Sequence, residues 1–172
     1  MSARIEVVVG RIERQGGDAV VNAANPGLQP GTGVDGALRR AAGPELTEWT
    51  SRLNPLEAGE AVMTPGFKLK AKWIIHTSAP VWFLPGEEID KIKMLEACYR
   101  GALMLAHAHN LRSISFPCLG TGNYGWPRDL ACDVAVKTCR DALSAKLSLA
   151  RVRFCCFSED DAQIYKKRLK QR

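Results

Sequence analysis

A short apolar run leads through a glycine-rich loop into a helical pattern in the stretch Ala19-Val20-Val21-Asn22-Ala23-Ala24-Asn25-Pro26-Gly27-Leu28-Gln29-Pro30-Gly31-Thr32-Gly33-Val34-Asp35-Gly36. The β-branched run predicts a strand over Ala19–Asn22. The helical pattern follows from Ala37 and stops at Gly43-Pro44. Glycines allow backbone N–H groups to approach a phosphate closely, and a helix N-terminus adds the positive end of its dipole. The stretch therefore predicts a strand, an anion-binding loop and a helix in succession.

The same alternation continues along the chain and predicts an α/β fold in which helices cover a central sheet. The other predicted strands are Ile5–Val9, Glu60–Thr64, Trp73–Thr77, Ser113–Cys118 and Val152–Phe157. Helical spacing of apolar residues predicts helices that include Ile92 to Ala106, Ala131 to Ala142 and about Glu159 to Arg168, the last with Ser158 as N-cap.

A second glycine loop, Gly120-Thr121-Gly122-Asn123-Tyr124-Gly125-Trp126-Pro127, follows the predicted strand that ends at Cys118. Ligands of open α/β sheets bind at the carboxyl ends of strands, and two phosphate nests at one edge predict a diphosphate held from both sides. The loop also spells GxGxxG. A dinucleotide fold, however, needs an acidic residue about 20 positions later, at the end of the next strand. Asp141 lies inside the intervening predicted helix, and Glu159 and Asp160 come much later. A nicotinamide-dependent dehydrogenase is therefore disfavoured.

Composition predicts one cytoplasmic domain over residues 1–172. The 172 residues are 46% hydrophobic, but no apolar run approaches the roughly 20 residues of a membrane span, and the N-terminus lacks a secretory core. The six cysteines form no CxxC pair or zinc-like spacing, so we expect reduced thiols and no metal site. The net charge of +6 favours anionic partners without choosing between nucleotides, polyphosphates and nucleic acid.

Segments distributed over most of the chain resemble one family. They are Asp18–Asn25, Gly33–Gly36, Arg40–Leu46, Gly59–Ala61, Ile75–Thr77, Phe116–Cys118 and Gly122–Gly125. In this order they are similar to the macrodomain family, and specifically to its MacroD-type hydrolase branch, which includes the bacterial O-acetyl-ADP-ribose deacetylases. The resemblance implies a three-layer α/β/α sandwich with a mixed central sheet, a cleft for ADP-ribose across its top, and no cofactor.

The resemblance also implies the site residues. The catalytic positions are Asn25, which would hydrogen-bond the distal ribose, and Asp35, which would orient or activate the attacking water. The second loop would wrap the diphosphate, and Phe157 would pack against adenine. The implied ligand-binding residues are Ile12, Asn22, Gly31, Gly33, Val34, Gly36, Gly120, Thr121, Gly122, Asn123, Tyr124 and Phe157.

Structural interpretations compete for several of these side chains. Asp35 could be a turn residue or a helix cap, and we expect Asn22 to hydrogen-bond local backbone while Asn25 faces the ligand. Core packing at the end of a strand would explain Phe157. His76 lies in an apolar strand and is interpreted as structural.

The chain departs from the family pattern at three places. Gly10-Arg11-Ile12 replaces the usual Gly-Asp-Ile, so we expect poor discrimination of adenine, because a guanidinium cannot accept the amino hydrogen. Pro30 and Thr32 replace glycines and predict a stiffer first loop. Gly120 replaces a common serine and predicts a looser second loop.

The sequence thus predicts a hydrolase that removes ADP-ribose from acidic side chains of mono-ADP-ribosylated proteins or deacetylates O-acetyl-ADP-ribose. The alternative is a module that binds ADP-ribose without turnover. Nucleic acid is a less favoured partner, because the chain lacks the aromatic and basic alternation that stacks bases. No membrane partner is expected.

Overall fold

The computed structural model describes residues 3 to 171, so residues 1, 2 and 172 of the predicted domain lie outside the described residues. The strands are β1 (Arg4–Val9), β2 (Ala19–Ala23), β3 (Ala61–Pro65), β4 (Trp73–Thr77), β5 (Ser113–Phe116) and β6 (Arg151–Cys156). The α-helices are α1 (Gly33–Ala42), α2 (Pro44–Thr50), α3 (Glu88–Ala108), α4 (Arg128–Leu143) and α5 (Glu159–Lys170), and a short 3-10 helix spans Ile12–Arg14.

The six strands form one mixed sheet in the order β1-β6-β5-β2-β4-β3. Only β3 runs antiparallel to its neighbour, β4, and the other pairs are parallel. The central strands β2 and β4 are buried on both faces, which is why most of their residues are apolar.

Helices cover both faces of this sheet. On one face, Val20 and Ile74 pack with Leu38 of α1 and Leu46 of α2. On the other face, Val21 packs into the larger cluster to which α3, α4 and α5 contribute. Adjacent residues of a strand thus serve different layers, and the fold is the predicted three-layer α/β/α sandwich.

Several element boundaries differ from the prediction. The β5 strand ends at Phe116, before Pro117, because proline has no N–H to donate to the sheet. The β6 strand ends at Cys156, and Phe157 lies in the turn before Ser158, whose side chain accepts a hydrogen bond from Asp161 N as the N-cap of α5. The first helix begins at Gly33 rather than Ala37, and α2 was not predicted.

All six cysteines are free thiols, and only Cys118 is not fully buried. No helix among the described residues has the length and apolarity to cross a membrane. Within residues 3 to 171, no group of histidine, cysteine and acidic side chains is placed to hold a metal ion.

Candidate functional site

The two glycine loops meet where the chain leaves the sheet in opposite directions. The strands β2 and β5 are neighbours, yet β2 leads to α1 on one face and β5 leads to α4 on the other. A crevice opens between such strands at their carboxyl ends, which makes this edge the expected ligand site.

Two adjoining cavities fill the crevice. The first, the distal cavity, has a volume of about 290 Å³, and the second, the nucleoside cavity, about 430 Å³. Both are lined by Gly33, Val34, Cys118 and Gly122, so they join between the two glycine loops. The distal cavity is also lined by Asn25, Gly31, Asp35, Gly120, Asn123 and Tyr124. The nucleoside cavity is also lined by Ile12, Thr121 and Phe157.

Two of the predicted ligand-binding residues line neither cavity. Asn22 is fully buried in the strand beneath the distal cavity. Gly36 lies in the first turn of α1, where an added Cβ would stand 2.9 Å from the carbonyl oxygen of Gly31. The cavity linings do not support direct ligand contact for either residue: Asn22 donates to the carboxylate of Asp35, and Gly36 permits the close approach of the first loop to the helix.

Asp35 is nearly fully buried, and its carboxylate accepts three hydrogen bonds. The Oδ1 atom accepts from Asn22 Nδ2 at 2.8 Å, whereas Oδ2 accepts from Gly31 N at 2.7 Å and from Arg39 Nε at 2.9 Å. The bond from Gly31 N holds the first loop at the start of α1. Since a carboxylate offers about four acceptor positions, Oδ1 keeps capacity for a water molecule.

A chain of buried side chains continues below Asp35. Asn22 Nδ2 lies 3.0 Å from Nδ1 of His76, and Nε2 of His76 lies 2.9 Å from Thr64 Oγ1. Burial, and then the positive charge of Arg39, lowers the pKa of His76 to about 4. His76 is thus a neutral structural residue, as predicted, and Asn22 bonds to side chains rather than to local backbone, which corrects that prediction.

Sequence reasoning missed Arg39, the counter-ion of Asp35. Its guanidinium is buried and also donates to the carbonyl of Leu28 and to the hydroxyls of Thr47 and Thr50. The i,i+4 spacing from Asp35 to Arg39 on a helix was the signal available in the sequence. Arg39 ties the carboxylate to the first loop and to α2.

Asn25 closes the first loop on itself. Its Nδ2 donates to the carbonyl of Gln29 at 2.7 Å, and its Oδ1 accepts from Gln29 N at 3.0 Å. The local backbone bonding expected of Asn22 is therefore made by Asn25. One amide hydrogen and one lone pair of Asn25 stay available at the wall of the distal cavity.

The second loop is packed tightly rather than loosely. Gly120 has a φ of 87°, and a Cβ there would lie 2.6 Å from the ring of Trp126, which is buried. The substitution of serine by glycine thus brings the loop onto Trp126, which corrects the expectation of looseness. At the mouth of the cleft, Asn123 Nδ2 donates to Thr32 Oγ1 at 2.9 Å and links the two loops.

The nucleoside cavity carries an exposed aromatic ring. Phe157 is 75% exposed, so core packing does not explain it, contrary to one of the two predicted interpretations. The guanidinium carbon of Arg11 lies 5.7 Å from the centre of this ring, and Glu13 pairs with Arg11 at 3.5 Å. Arg40 and Asp161 also line this cavity and were not predicted.

This arrangement is that of a macrodomain, and the chain belongs to the Macro domain family, whose profile matches residues 21–135. The chain is 43% identical to the O-acetyl-ADP-ribose deacetylase of Salmonella typhimurium, covering 99% of this chain and 97% of that protein. A macro domain-containing protein of Ralstonia nicotianae is 47% identical, covering 90% of this chain and 87% of its own length.

Solved macrodomains share the fold closely. A variant of the Oceanobacillus iheyensis macrodomain with ADPR superposes with a TM-score of 0.92 at 37% identity, covering 98% of this chain and 93% of that one. The Trypanosoma brucei macrodomain in complex with ADP-ribose superposes with a TM-score of 0.86 at 38% identity, covering 95% of this chain and 68% of that one.

Proposed function

We propose that this protein is a hydrolase of ADP-ribose esters that deacetylates O-acetyl-ADP-ribose and removes ADP-ribose from acidic side chains of mono-ADP-ribosylated proteins. One observation carries the proposal: the two cavities join between two glycine loops, and the buried carboxylate of Asp35 lies in the wall of the distal cavity. The carboxylates that line the nucleoside cavity, Glu13 and Asp161, lie outside the two loops and are not fully buried. The relatives named above support the ligand, because one is an O-acetyl-ADP-ribose deacetylase and two solved structures contain ADP-ribose or ADPR.

The ligand would lie along the cleft with its diphosphate between the loops. Backbone N–H groups at Gly33 and Val34 belong to the first turn of α1, where they have no partner within the helix and form the positive end of its dipole. Tyr124 and Asn25 would border the distal ribose, and Phe157 would stack on the base. The positive net charge of the chain favours such an anionic ligand.

Asp35 would orient the attacking water through the acceptor position that Oδ1 retains. Its negative charge would also stabilise positive charge that develops on the water as the ester is attacked. Arg39 and Asn22 hold the carboxylate in place and are positioning residues. Asn25 would fix the distal ribose before and during the reaction.

A module that only binds ADP-ribose is the second candidate, and the three hydrogen bonds already made by Asp35 favour it. A turnover assay on O-acetyl-ADP-ribose and on a protein mono-ADP-ribosylated on glutamate separates the two candidates. We expect Asp35→Asn to lose most hydrolysis and to keep ADP-ribose affinity within about tenfold, because the carboxylate acts mainly in the transition state. Equal rates for wild type and Asp35→Asn would favour the binding module.

Asn25→Ala is the matched comparison at the same cavity. It should weaken both binding and turnover, because each hydrogen bond lost to the ribose is worth about 0.5–1.5 kcal/mol and the bonds to Gln29 are lost as well. Calorimetry with ADP-ribose and the turnover assay would show whether the two variants differ in kind.

A further inference from the structure

Three large apolar side chains that are close together in the sequence are exposed, and the packing of the fold does not account for their exposure. Phe83 is 69% exposed, Leu84 53% and Ile89 55%. Single exposed apolar residues are ordinary, but a group of them marks an interaction surface. We call Phe83, Leu84 and Ile89 the apolar patch.

The apolar patch adjoins the distal cavity through the second glycine loop. Trp82 N donates to the carbonyl of Tyr124 at 2.8 Å, and Tyr124 lines that cavity. The ring of Phe83 lies against Gly125, where an added Cβ would stand 2.9 Å from its Cδ1 atom. The exposed face of Phe83 is therefore next to the second glycine loop, which forms part of the wall of the distal cavity.

The segment that carries the patch is held firmly. Trp126 Nε1 donates to the carbonyl of Pro80 at 2.8 Å, and the rings of Trp82 and Trp126 lie 4.8 Å apart. Lys91 Nζ donates to the carbonyls of Trp82 and Leu84. A surface fixed in this way loses little conformational entropy when a partner binds.

Three carboxylates lie next to the patch in the sequence although the chain as a whole is basic. Glu87, Glu88 and Asp90 lie at the start of α3, are exposed, and form no ion pair with any residue between positions 3 and 171. We call these three residues the acidic rim. They complement the helix dipole, and they also favour a partner segment that carries basic residues, although the net charge of this chain is itself +6.

We propose that the apolar patch binds the polypeptide of the ADP-ribosylated protein, with an apolar side chain beside the modified residue on the patch and basic residues against the acidic rim. This inference rests on the proposed function, because it places the ester-bearing ribose at Asp35 and Tyr124. O-acetyl-ADP-ribose carries only an acetyl group at that position and does not reach the patch.

The difference between the two substrates supplies the test. Phe83→Ser with Leu84→Ser, and separately Ile89→Ser, are compared with wild type on O-acetyl-ADP-ribose and on a protein mono-ADP-ribosylated on glutamate. The variant at Ile89 leaves the loop that touches Tyr124 intact. Met104→Ser is the matched control, because Met104 is 47% exposed on the same helix and lies about 22 Å along the axis from Ile89.

We expect kcat/KM on the modified protein to fall about tenfold in the patch variants, mainly through KM, with deacetylation within twofold of wild type and no effect of Met104→Ser. Parallel losses on both substrates, or no loss on either, would overturn the inference while leaving the proposed function standing. A wild-type dimer that dissociates in the patch variants would also overturn it, since a second copy would then occupy the patch. Absence of wild-type turnover on both substrates would instead contradict the proposed function itself.

Discussion

Removing the Asp35 carboxylate should destabilise the fold as well as the chemistry. The variant Asp35→Ala deletes three hydrogen bonds and leaves the Arg39 guanidinium, whose side chain is 7% exposed, without a counter-charge. Breaking a buried ion pair by removing one partner costs about 3–5 kcal/mol. That is a large part of the roughly 5–15 kcal/mol by which folded domains are stable.

Urea denaturation followed by circular dichroism measures the free energy of unfolding of each variant. Asp35→Asn should be less destabilised than Asp35→Ala, because an amide oxygen can still accept from Arg39 and Gly31. The matched control is Glu48→Ala, which removes the exposed ion pair to Arg52 at the same i,i+4 spacing. That pair should be worth no more than about 0.5 kcal/mol.

Two outcomes would refute this account of the site. If Asp35→Ala unfolds within about 1 kcal/mol of wild type, the ion pair does not hold the first loop, since even one lost buried bond should cost that much. If the exposed pair costs as much as the buried one, burial is not the source of the effect. Because these variants are destabilised, the turnover of each must be measured under conditions in which its denaturation curve shows it to be folded.

Four further outcomes can be checked. Arg11→Asp should sharpen the preference for adenine over other bases in calorimetry, and unchanged selectivity would place Arg11 outside the pocket. The pKa of His76 is lowered to about 4, so the unfolded chain takes up a proton at this histidine before the folded chain does as the pH falls from about 6.5 to 4. The free energy of unfolding should therefore decrease by about 3 kcal/mol over that window, and His76→Gln should make it less dependent on pH. Asn123→Ala should speed both association and release of ADP-ribose in stopped-flow traces by cutting the link to Thr32. NAD should bind much more weakly than ADP-ribose, and equal affinities would contradict the proposed orientation of the ligand.

The layers of the fold were predictable because their signal is local. Strands such as Trp73–Thr77 are marked by short apolar runs, and the N-cap at Ser158 follows from side-chain chemistry within three residues. Element ends were less predictable where a contact distant in the sequence or a loop decides them. The first helix starts at Gly33 because the carboxylate of Asp35 reaches back to Gly31 N, which no periodicity of apolar residues records.

Local backbone bonding was predicted for Asn22 but is made by Asn25, for a similar reason. Sequence position placed Asn22 at a strand end, where local backbone bonding is common. Register places it beside His76 on β4 instead, 54 residues away, and under Asp35. Burial in a parallel sheet leaves an amide no local partner, so it must bond across strands. Only the strand order supplies that information.

The two ends of the cleft differ in how strongly the fold constrains them. At the distal end, Asp35 is held by bonds from α1, β2 and the first loop, so a substitution there disturbs the core. At the nucleoside end, Arg11 and Phe157 are exposed side chains, and Arg11 pairs with Glu13 and lies near the ring of Phe157. Changes at the nucleoside end can therefore alter base preference at little cost in stability. It is at this end that the chain carries Arg11 in place of the aspartate common in the family. Variation in ligand affinity should thus arise at the nucleoside end, whereas variation at the distal end should appear together with loss of stability.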